Sequence, residues 1–186
     1  YPVHLWENDK KVGLANDTIP PGTKLAQGAD PNLRTSYNNY YQPDYGPKKM
    51  QEKALEFIKG RNKEDPFMLY YASPIPHVPL QVPEEYLMKY RQIIGDEEPY
   101  LGQNGYFPHQ YPKAAYAAMI NYLDDQVGEL VATLKEERIY ENTVIFFTSD
   151  NGPTYAGGVD AEYFNSAGPF SNEYGRTKGF TYEGGI

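Results

Sequence analysis

Two near-continuous apolar runs constrain this chain more than any other feature. Pro66-Phe67-Met68-Leu69-Tyr70-Tyr71-Ala72 and Val144-Ile145-Phe146-Phe147, closed by Thr148, have no polar alternation. Runs of this length, rich in aromatic and β-branched residues, predict strands covered on both faces, the habit of parallel sheets. Between them Ala115, Ala118, Met119, Tyr122, Leu123, Val127, Leu130, Val131 and Leu134 recur at three- and four-residue steps. This predicts a long helix from about Pro112 to Arg138. A shorter stripe through Met50, Ala54, Leu55, Phe57 and Ile58 predicts a helix over Pro47 to Lys59, with proline in its first turn and Gly60 at its end. Pro83 to Tyr90 reads as a further short helix, and Tyr1 to Trp6 and Lys11 to Leu14 as short strands. Helix, strand, long helix, strand is the order of an α/β fold, a mostly parallel sheet with helices on both faces. Two core strands are too few for a stable open sheet, and neither end resembles a natural terminus, so the reading expects a piece of a longer chain.

The first 45 residues are loop-rich, broken at Asn16-Asp17, Pro20-Pro21-Gly22 and Asp30-Pro31-Asn32. With 17 Gly and 16 Pro in 186 residues, long irregular connections are expected throughout. A formal net charge of -8 repels nucleic acid and anionic membrane surfaces, and no run is long enough to span a bilayer. There is no Cys, hence no disulfide, thiolate metal site or Cys nucleophile within the chain. The 19 Tyr suit a surface that stacks on sugars as well as they suit half-buried packing.

In an open α/β sheet, ligands gather beyond the carboxyl ends of the strands. His77 follows the first apolar run, in a loop stiffened by Pro74, Pro76 and Pro79; Asp150 and Asn151 follow the second. A carboxylate and an amide oxygen side by side are hard ligands suited to Ca²⁺ or Mg²⁺, and Asp-Asn-Gly-Pro is equally good turn chemistry. His77 alone reads as a preorganised imidazole or as a hydrogen-bonded loop residue. Gly175-Arg176-Thr177-Lys178-Gly179 offers cations in a glycine-flanked loop, without the spacing of a phosphate loop. The tyrosine-rich stretch Tyr90 to Tyr111, which includes His109, reads as a substrate-pocket lining or as surface loop.

Taken together these segments resemble the formylglycine-dependent sulfatases of the alkaline phosphatase superfamily. The resemblance rests on Asp65 to Tyr71, Pro76-His77-Val78-Pro79-Leu80, and Tyr116-Ala117-Ala118-Met119-Ile120 with Leu123-Asp124 and Val127-Gly128. It continues through Thr148-Ser149-Asp150-Asn151-Gly152, Gly168-Pro169-Phe170, Lys178-Gly179 and Tyr182 to Ile186. Tyr1 to Trp6 and Tyr45 to Ile58 resemble the family's linking region, so residues 1–186 read as a partial catalytic domain, 1–45 linking and 46–186 core. The resemblance implies a divalent cation on Asp150 and Asn151, Ca²⁺ ahead of Mg²⁺, and contacts from His77 and Lys178 to the sulfate group or its leaving oxygen. Arg176 competes with Lys178, because residues 171–177 form a longer link than many relatives have. The resemblance also implies a sulfated glycan or aryl sulfate as substrate, and a periplasmic, secreted or cell-surface setting. The family's nucleophile, a formylglycine made within Cys/Ser-x-Pro/Ala-x-Arg, has no counterpart here. Two alternatives are a phosphatase or phosphodiesterase of the same superfamily, and a non-catalytic binder of anionic polysaccharide.

Overall fold

The computed structural model describes residues 3–62 and 64–168. A hairpin opens the chain: β1 (His4–Glu7) and β2 (Lys10–Gly13) pair antiparallel, with Leu5 opposite Val12 and Glu7 opposite Lys10. Asn8 makes the turn at φ 56°, a left-handed conformation that asparagine tolerates better than most side chains. A 3-10 helix at Arg34–Tyr40 buries Tyr37 and Tyr40 with Phe107 as a small second core.

Three α-helices carry the rest: α1 (Gly46–Gly60), α2 (Glu84–Ile94) and α3 (Pro112–Glu136). The boundaries of α1 and α3 lie within two residues of those the periodicity predicts, whereas α2 runs past the expected Tyr90 to Ile94. Pro47 and Pro112 stand in first turns where an amide donor has no helical partner. Glu84 and Glu85 sit at the positive end of α2, and Gly95 closes that helix at φ 81° with its N–H on the Arg91 carbonyl. Glu97, from the preceding loop, accepts the Lys113 and Ala114 amides at 2.5 and 3.1 Å and so caps α3.

The centre of the molecule is α3, which packs against α2 on one side and α1 on the other. Ala114, Ala115 and Ala118 are fully buried, and their small side chains let Leu87 of α2 approach and become buried itself. Removing Leu87 from water contributes about 2 kcal/mol. Two buried glutamines clasp α1 to α3: the Gln51 amide donates to the Gln126 carbonyl at 2.9 Å, and the Gln126 amide to the Pro47 carbonyl at 3.0 Å. The C-terminal part of the expected stripe, Val127, Leu130 and Val131, is only half-buried, and Gln126, Thr133 and Leu134 take the inward positions.

The two apolar runs differ from expectation. Residues 67–72 and 144–148 join no β ladder among the described residues, where the only sheet is the β1–β2 hairpin. Met68 and Tyr70 are more than four-fifths exposed, and so is Phe146. A helix satisfies its own backbone, whereas a strand exists only where another offers hydrogen bonds, and none of the described segments offers them to these runs.

Candidate active site

The loop after the first run is fixed from below. Ile75, Val78, Leu80 and Val82 are buried against Leu87 and the alanine face of α3, while His77 stays exposed between them. The peptide bonds Ile75–Pro76 and Val78–Pro79 are both cis. The His77 amide donates to the Pro74 carbonyl at 2.8 Å, and its Nδ1–H donates to the Val78 carbonyl at 2.6 Å. A carbonyl can only accept, so this bond assigns the neutral ring's proton to Nδ1 and leaves Nε2 as the outward nitrogen. The Tyr106 ring meets the imidazole edge-on, with centroids 6.0 Å apart.

Asp150 and Asn151 stand in an exposed bend, where the Ser149 hydroxyl donates to the Asn151 carbonyl at 2.6 Å. The chain then turns back under the His77 loop. Gly157, at φ 62°, lies so close that a Cβ there would stand 2.8 Å from Val78 Cγ1 and 3.2 Å from Tyr106 Cδ2. A Cβ on Gly158, at φ 92°, would stand 2.8 Å from Tyr100 Cγ and 3.2 Å from Pro112 Cβ. Only glycine supplies both that backbone and that closeness. Beyond them Val159 joins the main core, and Asp160 holds Lys113 Nζ at 3.3 Å. The structure therefore ties the segment following Asp150-Asn151 to the loop of His77. The hydrogen bonds of His77 itself stay within its own loop, with none to Asp150 or Asn151.

His109 has a different setting. It is 5% exposed, exchanges backbone hydrogen bonds with Tyr100, and accepts the Tyr111 amide on Nδ1 at 3.0 Å. Burial pushes its imidazole down to about 4, and the nearby Arg34 guanidinium adds to that. Such a ring is neutral at pH 7 and braces the 100–111 loop from inside. Lys178 and Arg176 lie outside the described residues. Tyr106, Gly157 and Gly158 are contributions to the site that the sequence reading misses. A glycine pair soon after an apolar run was the available signal for two of them, and the tyrosine-rich stretch Tyr90 to Tyr111 marks the segment of Tyr106 without singling that residue out.

Chemically the site offers one imidazole with a free Nε2 and two hard oxygen donors. The donor set at Asp150 and Asn151 matches Ca²⁺ or Mg²⁺ in kind and supplies part of the six or more oxygens that Ca²⁺ takes. Among the described residues no three His, Cys, Asp or Glu side chains gather as a metal-binding group. No helix there is long and apolar enough to cross a membrane.

Comparison with known proteins decides what this arrangement belongs to. The family model described as Sulfatase matches residues 7–185. The chain belongs to the sulfatase family. An arylsulfatase of Klebsiella aerogenes is 28% identical, with 86% of this chain covering 40% of that protein. The N-acetylgalactosamine-6-sulfatase of Homo sapiens is 29% identical over 73% of this chain and 21% of its own length. An uncharacterized sulfatase of Schizosaccharomyces pombe is 29% identical over 79% of this chain and 32% of its own. The sulfatase chain thus spans between about a fifth and two fifths of these relatives. Among solved structures, that of Ps i-CgsB in complex with k-i-k-neocarrahexaose aligns at a TM-score of 0.50 and 32% identity, covering 63% of this chain and 23% of that one. The α/β, alkaline-phosphatase-like class expected from the sequence is that of this sulfatase neighbour.

Proposed function

We propose that this chain is part of the catalytic domain of a sulfuric ester hydrolase, residues 46–186 contributing core and site and 1–45 linking. The observation that carries the reading is the family match over residues 7–185, which spans both His77 and the Asp150-Asn151 pair. The two apolar runs are then strands of a mostly parallel central sheet, their tips holding the loops of His77 and of Asp150. The reaction is R–O–SO₃⁻ + H₂O → R–OH + HSO₄⁻. Its difficulty lies in charge, which gathers on the sulfate oxygens and on the departing oxygen.

Each residue has a role that its chemistry suits. Asp150 and Asn151 supply oxygen ligands to a divalent cation, Ca²⁺ ahead of Mg²⁺. Such an ion supplies Lewis-acid stabilisation of the anionic substrate. The Lys178 ammonium, or Arg176 in its stead, pairs with a sulfate oxygen. With its ring protonated on both nitrogens, His77 holds Nδ1–H on the Val78 carbonyl, directs Nε2–H toward the leaving oxygen and gives it that proton, which leaves the neutral ring with its proton on Nδ1. A formylglycine from elsewhere in the protein would supply the attacking oxygen. Sulfated glycans are the proposed substrate class, supported by the carbohydrate named with the human relative and with the solved neighbour. A periplasmic, secreted or cell-surface setting follows from where such glycans occur.

The test is sulfate release from an aryl sulfate and from sulfated oligosaccharides by a full-length sulfatase carrying this chain. His77→Ala and Asp150→Ala are expected to lower kcat/KM about 10²- to 10³-fold. Chelation should abolish turnover and Ca²⁺ restore it, while the 186-residue chain alone should be inactive. A full-length protein with an intact nucleophile motif that releases sulfate from none of these esters overturns the reading.

A further inference from the structure

Catalysis by His77 under the proposed reading requires one nitrogen of its ring, and the structure contains a device that selects it. The ring is exposed, so its own loop gives it a single hydrogen bond, from Nδ1 to Val78. An exposed imidazole held at one point can rotate by half a turn about χ2, which exchanges Nδ1 with Cδ2 and breaks that bond. Tyr106 stands against this rotation, its ring edge-on to the imidazole at an interplanar angle of 76°.

Tyr106 is held there at some expense. Its φ is 62°, a left-handed conformation that bulky side chains avoid, and Gly105 beside it is also left-handed at φ 78°. A turn that needed only the backbone would be served by glycine or asparagine. Non-glycine residues in this region persist where their surroundings hold them, and they gather at functional sites. Here the surroundings are Val78 and the left-handed Gly157, whose missing Cβ leaves the space that the Tyr106 ring edge occupies. Tyr106 is half-buried against the main core, so its ring has a fixed support.

We infer that Tyr106 is a positioning residue for His77: its ring blocks the half-turn of the imidazole, keeps Nδ1 on the Val78 carbonyl, and leaves Nε2 as the nitrogen presented outward. The inference deepens the hydrolase reading, and its first readout is independent of activity.

The experiment uses a full-length sulfatase carrying this chain, with ¹⁵N-histidine labelling and ring-nitrogen spectra at about pH 8.5, where imidazole is neutral. His77→Gln identifies the His77 signals by their loss. In the parent protein and in Tyr106→Phe, the Nδ1-protonated tautomer should dominate. Tyr106→Gly and Tyr106→Asn both suit a left-handed backbone, so they delete the ring without imposing strain. Each should lower the ratio of Nδ1–H to Nε2–H by about fivefold or more in a protein that stays folded, at a melting temperature lowered by the lost ring packing. In the sulfate-release assay the same two variants should lose about tenfold in kcat with little change in KM, and Tyr106→Phe should restore it. If Tyr106→Gly and Tyr106→Asn keep the parent's tautomer ratio, the positioning role is overturned even where sulfate is released. If the ratio shifts as expected while no variant, nor the parent, releases sulfate, the clamp stands and the hydrolase reading falls.

Discussion

The face that α3 turns to α2 and the run Val144 to Phe147 are both strongly apolar, yet one is buried and the other lies open. Ala114, Ala115 and Ala118 have no exposed surface, whereas Phe146 is 89% exposed and Phe147 75%. The difference is in where the backbone hydrogen bonds come from. A helix closes its bonds within a few residues, so α3 can form first and then bury its stripe. A buried strand needs neighbours supplied by distant parts of the sequence, and hydrophobicity alone does not create them. Local periodicity therefore specifies a helix outright, and an apolar run specifies only a demand for partners.

The largest expected effect breaks this comparison by context. Leu87→Ala should destabilise the 186-residue chain by about 3 kcal/mol, because it empties a site that is 1% exposed. Phe146→Ala should change the same chain's stability by less than about 0.5 kcal/mol. In a full-length sulfatase, where the run is proposed to be a core strand, Phe146→Ala should cost about 3–5 kcal/mol. Chemical denaturation of both variants in both lengths makes the measurement. A near-zero cost for Phe146→Ala in the full-length protein removes that strand from the core.

The same contrast explains what could be read from the sequence. α1 and α3 were legible almost to the residue, since Pro47, Gly60 and Pro112 mark their ends and the apolar stripe marks their faces. The apolar character of 67–72 and 144–148 was legible too, but their pairing was not, because it is a property of other segments. Within the candidate site, the stiffness of the His77 loop was legible through its prolines. Its packing against Tyr106 and Gly157 was not, since no local pattern links residues so far apart in sequence. His109 shows the converse: its chemistry invited a ligand-binding reading, while its burial and its bond from the Tyr111 amide are tertiary facts.

A second prediction sharpens the contrast between the two imidazoles through pH. His109 falls from an ordinary 6.5 to about 4 on folding. The unfolded chain therefore binds the proton first, so this contribution is complete above pH 6.5 and is lost as pH falls toward 4. At pH 5 the loss is about 2 kcal/mol relative to pH 7.5. His109→Asn keeps an acceptor for the Tyr111 amide, as in an Asx-turn, but cannot titrate. Urea denaturation between pH 7.5 and 5 should show that dependence in the parent and a much flatter one in His109→Asn. Equal slopes would mean that the ring is hydrated in solution.

The smallest effect concerns how the segment after the open run regains the core, and it separates a hydrogen bond from an ion pair. Asp160 accepts the Tyr163 amide at 2.9 Å and meets Lys113 Nζ at 3.3 Å, with both side chains partly exposed. The Tyr163 bond is the leading cause that lowers the Asp160 carboxyl, with Lys113 behind it. Solvent screens the ion pair, but the turn loses a fixed acceptor if the carboxylate goes. Asp160→Ala should therefore cost about 1 kcal/mol and Lys113→Ala less than half of that. Because folding lowers this carboxyl, its contribution is complete at pH 7 and fades only as pH falls below the ordinary aspartate range. About 0.5 M salt should leave the Asp160→Ala cost nearly unchanged, since screening acts on the charge pair and spares the amide bond. If salt erases most of that cost, the Lys113 pair rather than the turn anchors Gly157 and Gly158 beneath His77.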